Sequence, residues 1–264
     1  MGRRRADVVL VERGLFPSRE QARAAILAGE VTVDGVPIRK AGQEVEDDAV
    51  LAVAERRRYV SRGGLKLEGA LDQFGIDPAG LRVIDVGAST GGFTDCLLQR
   101  GAAEVTALDV GYGQLAWALR TDDRVRVHER TNIRHADPVE LGAPFDAAVV
   151  DVSFISLGTV LPVLLPMVSD DGWVLALVKP QFEAGKGRVG KKGVVRDAAV
   201  HEAVLEAVAQ HARSAGWTVR GIAWSPVKGP EGNIEFWAWF ARGGTETDVP
   251  VARVVAAAHE ALGE

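Results

Sequence analysis

The sequence predicts an α/β protein with a mostly parallel seven-stranded sheet that ends in an antiparallel hairpin, preceded by a small α+β domain. Three observations carry this prediction. From residue 81 onward, apolar strand-like runs alternate with helical stretches, the rhythm of a parallel sheet covered on both faces. The late runs WTVRGIAWS and NIEFWAWFA are separated only by SPVKGPEG, which is too short for a crossover, so they should pair antiparallel. Residues 1–55 carry a hairpin signal of their own, VTVDGVPI, with Asp34-Gly35 between alternating apolar residues.

Taken in order, Val9, Leu10 and Leu15 suggest a short helix, and Ser18 with Gln21 three positions on reads as the N-cap of a second helix ending near Gly29. VLAV at 50–53 offers a further strand. Residues 56–64 are expected to be a basic interdomain linker, and 65–264 the larger domain. Its strands are expected at RVIDV, VTALDV, VRVHE, AAVVDVSF and WVLALVK, with helices at 92–100, 113–120, 157–168 and 197–214. A last, Ala-rich helix should cover 249–262, with Pro250 in its first turn.

Composition narrows the functions. The 264 residues, 47% hydrophobic, can bury a full core in a large domain with a small one beside it. The early apolar run breaks at Glu12 and Arg13, so no secretion signal is expected. The closest candidate for a membrane span, VLPVLLPMV, is short and carries two prolines. A lone cysteine, Cys96, cannot form an intrachain disulfide or build a metal cluster, which fits a reducing cytoplasm and no metal. Net charge is −5, yet residues 56–66 hold five Arg or Lys and no acid, and 179–196 hold six against one Glu. Two such loops beside the motifs below favour a polyanionic partner.

The glycine turn is the main motif. Asp85-Val-Gly87-Ala-Ser-Thr-Gly91-Gly92-Phe93 follows a buried strand and lets a ligand approach the backbone closely. Its spacing, G-x-x-x-G-G, departs from the dinucleotide fingerprint. An acid ahead of the turn opposes a phosphate but suits the ammonium of an amino-acid ligand, as in S-adenosylmethionine. Asp109, at the end of the second strand, sits where an acid usually binds ribose hydroxyls.

Four further residues point at a reaction. Lys66 lies in the basic linker, Asp151 ends the fourth strand, Lys179 ends the fifth and Glu235 opens the last. Neighbouring fourth and fifth strands would put Asp151 and Lys179 at the edge that carries the glycine turn. A lysine must lose its proton to act as a base, and a second cation nearby, such as Lys66, promotes that loss while the two acids oppose it. Without geometry, the sign of the net effect stays open.

The stretches VSRGGLKLEGAL, DVGASTGGFTDCLL, LDVGYGQLAWALR, ERTN, DVSFISL, LVKPQFEAGKG and GPEGNIEFW, between residues 59 and 240, resemble the TlyA family of ribosomal-RNA 2′-O-methyltransferases. That family, also labelled haemolysins, belongs with the FtsJ-like methyltransferases. LVERGLFPSREQARAAILAGEVTVDG is similar to the S-four-type RNA-binding domain. The resemblance implies a Rossmann-like class I methyltransferase fold and S-adenosylmethionine as cofactor.

It also implies a catalytic quartet of Lys66, Asp151, Lys179 and Glu235, with Lys179 as general base for a ribose 2′-hydroxyl. The cofactor would be held by Asp85, Gly87, Ala88, Ser89, Gly91, Gly92, Phe93, Asp109, Asn132 and Asp151. The implied substrate is cytidine in 23S ribosomal RNA, and in 16S as well for the longer, actinobacterial-like version. A flipped-out nucleotide would be presented to the pocket. Phosphates would meet Arg3, Arg4, Arg5, Arg19, Arg23 and Lys40 in front, and Arg57, Arg58, Arg62, Lys186, Arg188, Lys191 and Lys192 beyond. Two departures stand out: Tyr59 where relatives often carry Trp, and Ala41 where they often carry Pro. The competing expectations are a non-catalytic ribosome-assembly factor and a haemolysin. A monomer is expected, since no heptad or spare edge motif asks for a second chain.

Overall fold

The computed structural model describes residues 2–53, 58–185 and 187–263, without the side chains of Lys191 and Pro230. Arg57 and Lys186, both expected to meet phosphates, lie outside the described residues, as does the Lys191 side chain. The chain divides into two compact units, Met1–Arg57 and Arg58–Glu264.

In the first unit, helices Ala6–Glu12 and Arg19–Leu27 pack over a three-stranded sheet built from Val31–Val33, Val36–Pro37 and Leu51–Val53. Ser18 caps the second helix by accepting from the Gln21 amide at 3.3 Å. The turn Asp34-Gly35 has both residues at positive φ, 50° and 79°, which is why an Asp-Gly pair is suited to it. A strand at Arg3–Arg5 pairs antiparallel with Glu44–Glu46 and was not legible in the sequence.

The second unit begins with α1 (Arg62–Phe74), followed by β1 (Arg82–Val86), α2 (Gly92–Gln99), β2 (Glu104–Leu108), α3 (Trp117–Arg120) and β3 (Val125–His128). Then come α4 (Pro138–Leu141), β4 (Phe145–Val150), α5 (Leu157–Leu164), β5 (Val168–Val178) and α6 (Pro180–Glu183). The chain closes with α7 (Ala198–Ser214), β6 (Thr218–Trp224), β7 (Phe236–Ala241) and α8 (Val251–Leu262). The sheet order is β6-β7-β5-β4-β1-β2-β3, and β7 alone runs against its neighbours. Alternate strand residues face opposite cores: Val83, Val149 and Leu177 on one side, Ile84, Val150 and Val178 on the other.

This topology positions the site. Strand order reverses at β1, whose neighbours are β4 and β2, so a crevice opens beyond the carboxyl ends of these strands. Because β7 is reversed, its first residue, Phe236, pairs with Val178, the last of β5. Glu235 and Lys179, one step beyond that pair, therefore emerge at the same edge.

Three expectations need correction. Lys66 is not in a linker, because Ser61 caps a helix that starts at Arg62, within the stretch expected to link the domains. The helix expected over 113–120 is confined to α3, since residues 110–116 form bends that carry the loop back toward β1. The fourth strand stops at Val150, where the chain turns away to form the crevice wall, and does not continue to Phe154.

Candidate active site

The loop after β1 is shaped by backbone constraints. Gly87 has φ +91°, and a Cβ there would collide with the backbone carbonyl of Asp151 on the neighbouring turn. Ser89 also sits at positive φ, 49°, and its amide donates to Asp109 Oδ2 at 2.8 Å. The other oxygen of Asp109 accepts from the Gly111 amide at 2.6 Å, so this carboxylate bridges the loops after β1 and β2. Gly91 precedes α2, whose first two residues, Gly92 and Phe93, line the crevice.

Asp85 is placed differently from the expectation. It is fully buried beneath the loop and accepts from Thr94 Oγ1 at 2.7 Å, and its Oδ1 has no hydrogen-bond partner among the described residues. Burial pushes its carboxyl up to about 7, against the hydrogen bond from Thr94. Thr94 was not singled out from the sequence. Its hydroxyl gives no pattern signal, because its role depends on a strand-to-helix contact.

The quartet resolves into two ion pairs. Lys66, on the buried face of α1 with Leu67, Ala70 and Leu71, donates to Glu235 Oε2 at 2.6 Å. Glu235 is fully buried, and its other oxygen has no hydrogen-bond partner among the described residues. Burial raises the Glu235 pKa above the usual carboxylate range, while Lys66 opposes the shift. Lys179 lies 2.5 Å from Asp151 Oδ1 and donates its hydrogen bond to Ser153 Oγ at 3.1 Å. Lys66 thus serves Glu235, whereas the sequence reading had it acting directly on Lys179. Glu235 nonetheless senses Asp151 and Lys179, so the four form one electrostatic unit.

Two cavities flank the glycine loop. The larger, about 520 Å³, is lined by Asp109, Asn132, Ile133, Val152 and Phe154 among others. The smaller, about 340 Å³, is lined by Ser61, Arg62, Gly63, Lys66 and Phe93. Gly87, Ser89 and Asp151 belong to both walls, making a two-lobed site with its waist at Asp151. Asp85 is in neither wall. Ser61 and Gly63 were missed because VSRGG read as linker. A larger groove of about 1020 Å³, beside α7 and the segment 246–252, contains none of these residues.

Residues 59–242 match the family model described as FtsJ-like methyltransferase. The chain belongs to the FtsJ-like methyltransferase family. Residues 4–51 match the S4 domain. The 16S/23S rRNA (cytidine-2′-O)-methyltransferase TlyA of Mycobacterium tuberculosis is 49% identical over 99% of this chain and 98% of its own. Hemolysin A of Brachyspira hyodysenteriae is 39% identical over 89% of this chain and 99% of its own. A solved chain from Streptococcus thermophilus, named for hemolysin, superposes with a TM-score of 0.76 at 46% identity, covering 99% of this chain and 97% of that one.

The basic residues split into two groups. In the S4 unit, Arg3 pairs with Glu46 at 2.7 Å, Arg4 with Asp47 and Glu12, and both Arg5 and Arg19 with buried Asp7. Arg23 and Lys40 are exposed and have no ion-pair partner among the described residues. In the FtsJ-like unit, Arg58 is held by Glu68 at 2.5 Å, whereas Arg62, Arg188 and Lys192 are exposed and unpaired among the described residues. No described helix is long and apolar enough to cross a membrane.

Proposed function

We propose that this chain transfers a methyl group from S-adenosylmethionine to the ribose 2′-hydroxyl of cytidine in 23S ribosomal RNA, and in 16S ribosomal RNA as well. The observation that carries the reading is the Lys179–Asp151 pair, whose acid stands at the waist of the two-lobed site beside the glycine loop, with Lys179 behind it and in neither lining. The names of the relatives, TlyA above all, support the choice of RNA and nucleotide.

The residues fit the cofactor. A cradle that admits no Cβ at Gly87, a nucleoside-sized lobe with Asp109 and Asn132, and a small polar lobe suit a ligand with a nucleoside at one end and an amino acid at the other. Asp109 and Asn132 would hold the ribose and base side. Arg62, with the amino end of α1, suits the carboxylate. Bound there, S-adenosylmethionine supplies an electrophilic methyl group on a sulfonium.

The chain's own task is positioning and proton transfer. Lys179 accepts the proton of the ribose hydroxyl and must be neutral when it does so. Asp151 and Ser153 fix the direction of its side chain. Lys66 and Glu235 brace the wall beside it. Phe154, 90% exposed at positive φ on the lip of the larger lobe, offers a ring for a base to stack on.

The S4 unit and the free basic residues would hold the RNA by its phosphates. The enzyme is read as a cytoplasmic monomer, so light scattering should return the 28.1 kDa chain mass. Mapping blocked 2′-hydroxyls in both ribosomal RNAs, from cells with and without the protein, tests the reading. A cytidine blocked only in its presence is expected, and identical maps would refute it.

A further inference from the structure

A further cavity, about 480 Å³, lies outside the two-lobed site and takes no part in the chemistry above. Its lining includes the charged residues Arg196, Lys228 and Glu231, with the His259 imidazole beside them. Arg196 precedes α7, Lys228 and Glu231 lie on the loop between β6 and β7, and His259 is on the last turn of α8. Neither Arg196 nor Lys228 has an ion-pair or hydrogen-bond partner among the described side chains, although Glu231 is within the same lining. Two cations without side-chain partners among the described residues, in one concave pocket, suit an anion.

The walls are tied together and to the catalytic quartet. Asn233 accepts from the Val195 amide and donates to the Gly193 carbonyl, both at 3.0 Å, joining the loop before α7 to the loop before β7. Ile234 lines this cavity, while the next residue, Glu235, bonds to Lys66. Gly229, beside Lys228, packs so closely on the Glu235 carboxylate that a side chain there would collide with it. One short loop therefore carries a wall of the cation-lined pocket and a member of the quartet. His259 is itself steadied by a 2.9 Å contact with the buried His201 ring.

We infer that this cavity is a second anion site, which takes a phosphodiester of the RNA strand outside the methylated nucleotide. The inference rests on the RNA-methylation reading for its ligand. A phosphate held by Arg196 and Lys228 would anchor the strand on the loop that carries Glu235. Glu231 would oppose the same phosphate.

The test is filter binding of a radiolabelled 23S rRNA transcript to the full chain across a salt series. Arg196→Gln combined with Lys228→Gln should weaken binding and reduce the slope of log K against log salt by about two, one for each lost phosphate contact. Glu231→Gln should act in the opposite direction and tighten binding. Calorimetric binding of S-adenosylmethionine, which reads the other site, should not change in either protein. Unchanged RNA affinity and slope in the natively folded double variant would overturn the inference, as would weaker binding by Glu231→Gln. Inorganic phosphate that shifts the His259 imidazole resonances, with RNA affinity unaffected by the double variant, would assign the pocket to a small anion and overturn it too. Loss of RNA affinity in the double variant supports the site even if the wild-type chain transfers no methyl group, so the two readings fail separately.

Discussion

Lys66 and Glu235, 169 positions apart in the chain, meet at 2.6 Å in the interior beside the glycine loop. α1 carries the lysine and the residue just before the reversed strand β7 carries the acid, so the pair joins the first helix of this unit to its last strand. Among the described residues neither charge has another side-chain hydrogen bond, and one oxygen of Glu235 has no hydrogen-bond partner.

Breaking this pair should destabilise the protein more than removing it. Glu235→Leu strands a buried ammonium and should lower stability by about 3–5 kcal/mol, whereas Lys66→Met with Glu235→Leu should recover most of that loss. Urea unfolding of the single and double variants measures both. Equal losses in the two would show that the pair does not act as a unit.

Asp85 gives a pH dependence of definite sign. Its carboxyl ionises near pH 4 in the unfolded chain and near 7 in the folded one, so the folded state holds an extra proton between these values. Its contribution to stability therefore falls as pH rises through that interval. Asp85→Asn should flatten this part of the curve, which thermal unfolding from pH 4 to 8 would reveal. A slope identical to wild type would remove Asp85 as its source.

Gly87→Ala should abolish cofactor binding while the fold survives. The new methyl group meets the Asp151 carbonyl, and a non-glycine residue at positive φ adds about 1–3 kcal/mol of strain. Calorimetry with S-adenosylmethionine, alongside a thermal melt, separates the two effects. Wild-type affinity in the variant would place the ligand elsewhere.

The rhythm of the chain made the sheet legible, because buried parallel strands read as apolar runs and helices as spaced ones. The antiparallel pairing of β6 and β7 followed from the short SPVKGPEG connection; that β7 also pairs with β5, which puts Glu235 at the same edge as Lys179, was not legible. α1 was illegible because RGG reads as loop. In the fold, Tyr59 packs where a side chain on Gly64 would stand, so the glycine admits that ring at a helix start. The strand Arg3–Arg5 defeats pattern reading because three arginines carry no apolar alternation. It is held instead by Glu46, Asp47 and Asp7, which also means that these arginines bring their own counter-charges to any phosphate. Asp85 was legible as important but not as buried, since burial depends on how α2 folds over β1.

The central claim is that Lys179, held by Asp151 and Ser153, takes the proton from a ribose hydroxyl. Single-turnover transfer of a labelled methyl group from S-adenosylmethionine to ribosomal RNA, compared between wild type and Lys179→Ala, tests it most directly. A loss of about 10²–10⁴-fold in rate is predicted, with cofactor affinity and melting temperature retained. Transfer at the wild-type rate in the folded variant would contradict the account.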